Sequence, residues 1–284
     1  MAAKKPPSVR ARQLAAELRR LRDETGMTGE EVGERLGWSA AKVSRIETAR
    51  IAVTPADATR LLDLYGASGQ RRERLAELSR SAGERGWWDA YADTLDLEYA
   101  TLIALQDQAE QARLYAPQTI PGLLQTEQYA HEIIRASLLI TPPGEIERRV
   151  QVRMSRQQVL DRDEPLKLSV VVDEAALLRQ VGGAGVMRDQ LRYLAEAASR
   201  PNIEVQVLPA SAGAHPATSG QFVILEFPEL SAPDVVYLEN MTSNIYVEQE
   251  AEVFRYNLAF DGLRGLALDS GESRKMIIEL AEEL

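Results

Sequence analysis

Thr28-Gly29-Glu30-Glu31-Val32-Gly33-Glu34-Arg35-Leu36-Gly37-Trp38-Ser39-Ala40-Ala41-Lys42-Val43-Ser44-Arg45-Ile46-Glu47 is the stretch on which the reading of this 284-residue chain turns. Thr28 with Glu31 three positions on is a capping-box pattern, and Val32 and Leu36 are the apolar pair of a short helix that Gly37 ends. Ser39 then caps a second helix, Ala40 to Ala49, whose inward residues are Val43 and Ile46. Two short helices about three residues apart around a glycine make the geometry of a helix-turn-helix, which presents its second helix outward. The same spacing also suits a plain helical bundle, so the residues themselves have to decide.

Upstream, Leu14, Leu18 and Leu21 recur at helical spacing from Arg10, and Gly26 closes that helix. Downstream, Thr54-Pro55-Ala56-Asp57 combines a cap, a proline at the first helical position and an acid in the first turn, and it leads into Ala58, Leu61, Leu62 and Tyr65 before Gly66. A fifth helix, from Ser68 to Ala82, carries Arg71, Arg72 and Arg74 on one side and Leu75 and Leu78 on the other. Residues 1–82 thus read as an all-α five-helix domain. Residues 83–94 read as a linker around Gly83 to Gly86, with Trp87 and Trp88 as anchors to the next domain or as a partner surface.

The formal net charge of −10 argues against a nucleic-acid partner until it is divided. Residues 1–80 hold 16 Lys and Arg against 11 Asp and Glu, a surplus of +5, while the remainder holds 17 against 32, or −15. That split permits DNA contact through the first part only. There is no cysteine, which excludes disulfides and thiolate metal sites, and His131 and His215 are the only imidazoles. No metal or cofactor is expected. No apolar run approaches the roughly 18 residues of a membrane span and no signal peptide is evident, so the expected compartment is the cytoplasm, with no membrane partner.

The stretch from Met27 to Glu47 resembles the phage-repressor (XRE-type) helix-turn-helix family over nearly its whole length. The resemblance implies a recognition helix from Ala40 to Thr48, capped by Ser39, with Ala40, Ala41, Ser44 and Arg45 facing base edges and Lys42 as a weaker reader. It implies phosphate contacts at Thr28, Gly29 and Arg50, and an internal ion pair, Arg22 with Glu47, that is structural. Three departures matter. Gly29 stands where the family commonly has Gln, which leaves only backbone amides for the phosphate. Ala40 and Ala41 replace polar readers; alanine can touch a thymine methyl but lacks the bidentate hydrogen bonds worth about 1–3 kcal/mol each. Ala49 replaces the glycine that usually ends the helix. Lys4, Lys5, Arg10 and Arg12 flank Pro6-Pro7 in what reads as a short extended arm, which either runs along the DNA or is simply solvated.

Residues 95–284 read as an α+β domain. Helices are expected over Leu95 to Tyr115, from Leu124 through Ile134, and over Glu145 to Leu160, the last with a stripe of Arg149, Arg153 and Arg156 that either binds an anion or pairs with local acids. Strands are expected at Leu166 to Val172, Ile203 to Leu208, Gly220 to Phe227, Val235 to Leu238 and Asn244 to Glu248, giving a mostly antiparallel five-stranded sheet. Further helices are expected over Glu174 to Gln180 and Gly185 to Ala198, and two more begin at Ala251 and Ser270. Gly86-Trp87-Trp88, the block Ile120-Pro121-Gly122-Leu123-Leu124-Gln125-Thr126-Glu127-Gln128-Tyr129-Ala130, Arg156-Gln157, Asp173 to Leu177 and Val236 to Glu239 look like the C-terminal domain of a WhiJ-like group of actinobacterial regulators. That resemblance implies a transcriptional regulator, antitoxin-like, encoded beside a small acidic partner protein; it implies no chemistry.

Enzyme readings find little support. Gly182-Gly183-Ala184-Gly185 joins two expected helices, whereas a dinucleotide fingerprint comes after a strand. His215 lies in a small-residue loop without a nucleophile motif, and Asp173-Glu174 is explained as a helix start. No catalytic residue is assigned. The expected protein is a homodimeric regulator that reads double-stranded operator DNA and senses a partner protein or ligand through its acidic domain. The alternative is an antitoxin-like module that neutralises a partner and binds DNA only for autoregulation.

Overall fold

The computed structural model describes residues 9–81, 86–91, 94–95, 97–137, 144–228, 234–241 and 243–284. These fall into two compact units. The first holds the five N-terminal helices, a 3-10 turn at Trp87–Tyr91, and Leu97–Leu105; the second holds Gln106–Pro228 and 234–284.

The first unit begins with α1 (Val9–Thr25), α2 (Gly29–Leu36), α3 (Ala40–Glu47), α4 (Pro55–Leu64) and α5 (Gly69–Ser81). Leu14, Leu18 and Leu21 of α1 meet Val32, Val43, Ile46, Ala58, Leu61, Leu62, Tyr65 and Leu75 in one buried cluster. These are the residues that helical periodicity selects. Leu36 and Leu78 lie partly buried at the margin of the cluster. Because α1 starts at Val9, Arg10 and Arg12 belong to a helix and not to an extended arm; Lys4 and Lys5 lie outside the described residues. The expected joint is described only from Gly86, where Trp88 is buried and Trp87 packs edge-on against it, ring centroids 5.9 Å apart.

Helix α6 (Leu97–Gln108) leads into the second unit. In chain order the second unit then contains β1 (Gln111–Ala116), α7 (Glu127–Ser137), α8 (Glu145–Arg156), β2 (Lys167–Asp173), α9 (Glu174–Leu178), α10 (Ala184–Ala197), β3 (Ile203–Leu208), β4 (Phe222–Glu226), β5 (Val235–Glu239), β6 (Asn244–Val247), α11 (Glu250–Leu266) and α12 (Ser270–Glu282). The sheet has six strands in the order β3-β2-β1-β4-β5-β6. The first three are mutually parallel; β1–β4, β4–β5 and β5–β6 are antiparallel. The expected α+β class and mostly antiparallel sheet therefore hold, but the strand count does not. The missed strand, β1, overlaps the end of the helix expected over Leu95 to Tyr115 and lies at the junction between the parallel and antiparallel halves.

Strand β2 is buried on both faces from Leu168 to Val172, which is why, Ser169 apart, it reads as an apolar run without alternation. On one face Tyr115, Val171, Leu208, Ile224 and Val236 pack against Val253, Phe260 and Leu263 of α11. At the β3 edge, Leu268 N donates to Val207 O (2.9 Å) and Val207 N donates to Ser273 Oγ of α12 (2.8 Å), so those ladder groups are satisfied.

The Ile120 to Ala130 block forms a clasp after β1. Most of it is buried, Glu127 and Gln128 being exposed, so its inner backbone groups need internal partners. Gln125 Nε2 donates to Ile120 O (2.7 Å), Gln157 Nε2 to Gly122 O (2.9 Å) and Gln125 O (2.8 Å), and Gln190 Nε2 to Leu124 O (2.7 Å). Arg153 Nη1 donates to Gln125 Oε1 at 2.8 Å, Arg156 is buried, and Arg149 binds Glu145 one turn back at 2.7 Å. The three arginines thus do not form one open basic stripe.

Candidate nucleic-acid interface

The helix-turn-helix is built by its caps. Thr28 Oγ1 accepts from Glu31 N (3.2 Å) and Thr28 N donates to Glu31 Oε2 (2.7 Å), the reciprocal box expected from the spacing. Glu31 is held below the usual carboxylate range, first by that backbone bond and then by the Thr28 hydroxyl. Gly37 takes the left-handed conformation (φ 68°) that closes α2. Trp38 N then turns back to Gly33 O at 2.7 Å, and Ser39 Oγ caps α3 by accepting from Lys42 N at 3.2 Å.

This geometry sorts the candidate DNA contacts. On α3, Val43 and Ile46 are buried, and Ala40, Ala41, Ser44, Arg45 and Thr48 form one exposed face. Ser39 is exposed at its N-terminal end. Arg45 and Arg50 are exposed and, among the described residues, make no side-chain hydrogen bond or ion pair. Lys42 is drawn sideways: its Nζ lies 2.9 Å from Asp57 Oδ2 and 3.7 Å from the centroid of the Trp38 ring. It therefore does not join the exposed face.

At the start of α2 the Thr28 hydroxyl and the amides of Thr28 and Glu31 are engaged in the capping box. The amides of Gly29 and Glu30 remain for an anion. A Cβ on Gly29 would meet only Val43 Cγ1, at 3.9 Å, so no steric demand imposes glycine there.

Arg22 and Glu47 form the expected internal pair. Nε lies 2.7 Å from Oε1 and Nη2 3.0 Å from Oε2, while Nη1 donates to Met27 O at 2.8 Å. Side-chain exposures of 15% and 8% make this a largely buried bidentate bridge. The hydrogen bond that Arg22 donates to Glu47 raises the Arg22 pKa further.

Two features are invisible to residue spacing. Arg35 on α2 and Arg19 on α1 are exposed and likewise without a side-chain hydrogen bond or ion pair among the described residues, whereas Arg20, Arg71 and Arg72 are paired with Glu17, Glu24 or Asp63. Only the fold reveals which cations are neutralised. Gly33 is the second: a Cβ there would lie 2.7 Å from Trp38 O, so the turn needs the bare backbone.

In the second unit, His215 Nε2 lies 3.3 Å from Tyr115 Oη, and its Nδ1 accepts from Ala217 N at 3.3 Å. Tyr115 Oη in turn reaches Asp173 Oδ2 at 3.4 Å, and Asp173 Oδ1 caps α9. Both ring nitrogens and both carboxylate oxygens have internal partners. Among the described residues no group of three His, Cys, Asp or Glu is placed to hold a metal, and no helix is long and apolar enough to cross a membrane.

A family model for a helix-turn-helix domain matches residues 13–75, and the model of a domain of unknown function (DUF5753) matches residues 99–279. No curated protein and no solved structure matches the chain. With its helix-turn-helix domain in front, the chain belongs to the family of the domain of unknown function DUF5753.

Proposed function

We propose that this DNA-binding regulator acts as a sequence-specific homodimer in the cytoplasm, reading an operator with α3 of each copy and sensing a small partner protein or ligand through its acidic C-terminal domain. DNA binding is supported by the helix-turn-helix domain. The observation that carries the sequence-specific reading is the state of Arg45: exposed on the α3 face, without a side-chain partner, beside neighbours that the fold has already paired. Dimerisation is supported by how little one face offers. A single arginine with two alanines and two hydroxyl side chains makes a weak reader, and paired half-sites supply the missing discrimination. The small acidic partner rests on the WhiJ-like resemblance, and the chain is read as a binding protein and not an enzyme.

The test is a gel-shift series on the DNA upstream of the chain's own coding sequence. Arg45→Ala should weaken specific binding about tenfold or more, in line with the loss of one bidentate base contact. Unchanged binding would remove Arg45 from the interface. The antitoxin-like alternative predicts that loss of operator binding abolishes autoregulation while the partner is still neutralised.

A further inference from the structure

We infer that the operator half-site is read mainly through thymine 5-methyl groups, contacted by Ala40 and Ala41 at the start of α3, with Arg45 adding one guanine contact. The inference rests on the DNA-binding reading above and specifies its ligand. In a helix-turn-helix the N-terminal residues of the second helix reach the base edges. Here those residues are two exposed alanines, which present methyl groups and no donor or acceptor. Every base offers hydrogen-bonding groups in the major groove; only thymine adds a methyl that an alanine can bury.

The neighbouring long side chain that would change this selection is held elsewhere. Lys42 bonds Asp57 at 2.9 Å and stacks on Trp38. Arg60 reinforces that arrangement, with its Cζ 5.0 Å from the Trp38 centroid and its Nη2 donating to Leu36 O at 2.6 Å. Further along the same face, Thr48 Oγ1 donates to Ser44 O at 2.7 Å, so its proton is engaged within α3. The exposed remainder is a short apolar edge beside Ser44 and the Arg45 guanidinium. Alanine is also short, so its methyl meets a base only when the helix axis lies deep in the groove.

The experiment begins by selecting duplexes from a random pool with the full-length protein. Thymines in each selected half-site are then replaced singly by deoxyuridine, which removes the methyl and keeps every hydrogen-bonding group. Expected are one or two thymines per half-site whose replacement weakens binding roughly fourfold each, the equivalent of one buried methyl at about 0.8 kcal/mol. Cytosine at the same position should be rescued in part by 5-methylcytosine. In Ala40→Gly and Ala41→Gly proteins, checked for an intact fold by thermal unfolding, the thymine-to-deoxyuridine ratio should fall toward one. Selected sites that bind equally well with deoxyuridine throughout would overturn the methyl readout and leave the regulator reading intact. Failure to select any sequence would overturn both.

Discussion

Ala49 has φ of 53°, and among the described residues it is the only non-glycine with positive φ. Its amide bonds Ile46 O at 2.9 Å, and Arg50 N returns to Arg45 O at 2.8 Å, so the left-handed turn that ends α3 is kept although the residue that suits it is absent. An L side chain in this conformation costs about 1–2 kcal/mol, partly offset by the lower entropy of its unfolded state. Ala49→Gly should therefore stabilise the first unit by about 1 kcal/mol, read as a rise in thermal midpoint of a few degrees; a fall would mean that Ala49 makes a contact outweighing its strain. Gly29 poses the opposite case, since its Cβ position is open. Gly29→Gln should leave stability nearly unchanged and tighten operator binding by roughly fivefold, the worth of one hydrogen bond to a phosphate at about 1 kcal/mol. Equal affinities would place the phosphate beyond reach of α2.

At the scale of elements, α2 and α3 approach so closely that Gly33 has no room for a methyl group. Gly33→Ala would press a Cβ against Trp38 O, and urea unfolding should show a loss of about 1–3 kcal/mol, as for an overpacked core. An unchanged midpoint would show that the turn from Gly37 to Ser39 yields. The helix-turn-helix is legible in the sequence because each of its boundaries has a local cause: Thr28 and Ser39 cap, Gly37 stops, and Val43 and Ile46 mark the inward face. Strand β1 is not, and its own residues explain why. No glycine or proline separates Leu97 from Tyr115, and Ala109 and Ala112 continue the helical spacing of α6 into a strand only six residues long, too short for the alternation Ala112-Leu114-Ala116 to stand out. Its strand state comes from partners remote in sequence, β2 on one side and β4 on the other. The candidate site divides likewise: that Arg45 and Lys42 are both cations three positions apart is visible in sequence, but that Asp57 and Trp38 take Lys42 away is not.

Across the whole molecule, charge is the property that sequence reports most directly. The +5 of residues 1–80 is opposed by −15 in the remainder, and at low ionic strength a DNA duplex interacts with both. The five N-terminal helices have their own core, from Leu14 to Leu75, so residues 1–82 are expected to fold by themselves. Compared with the full chain on a duplex of arbitrary sequence, this fragment should bind more tightly at about 50 mM salt, because the acidic domain no longer repels the phosphates. The advantage should shrink as salt rises and the screening length falls toward about 8 Å. On a selected operator the order should invert at moderate salt if the C-terminal domain holds two copies together, since a single α3 face is a weak reader. Fluorescence anisotropy over a salt series measures both comparisons. Identical curves for fragment and full chain on both DNAs would mean that the acidic domain neither screens the head nor pairs it.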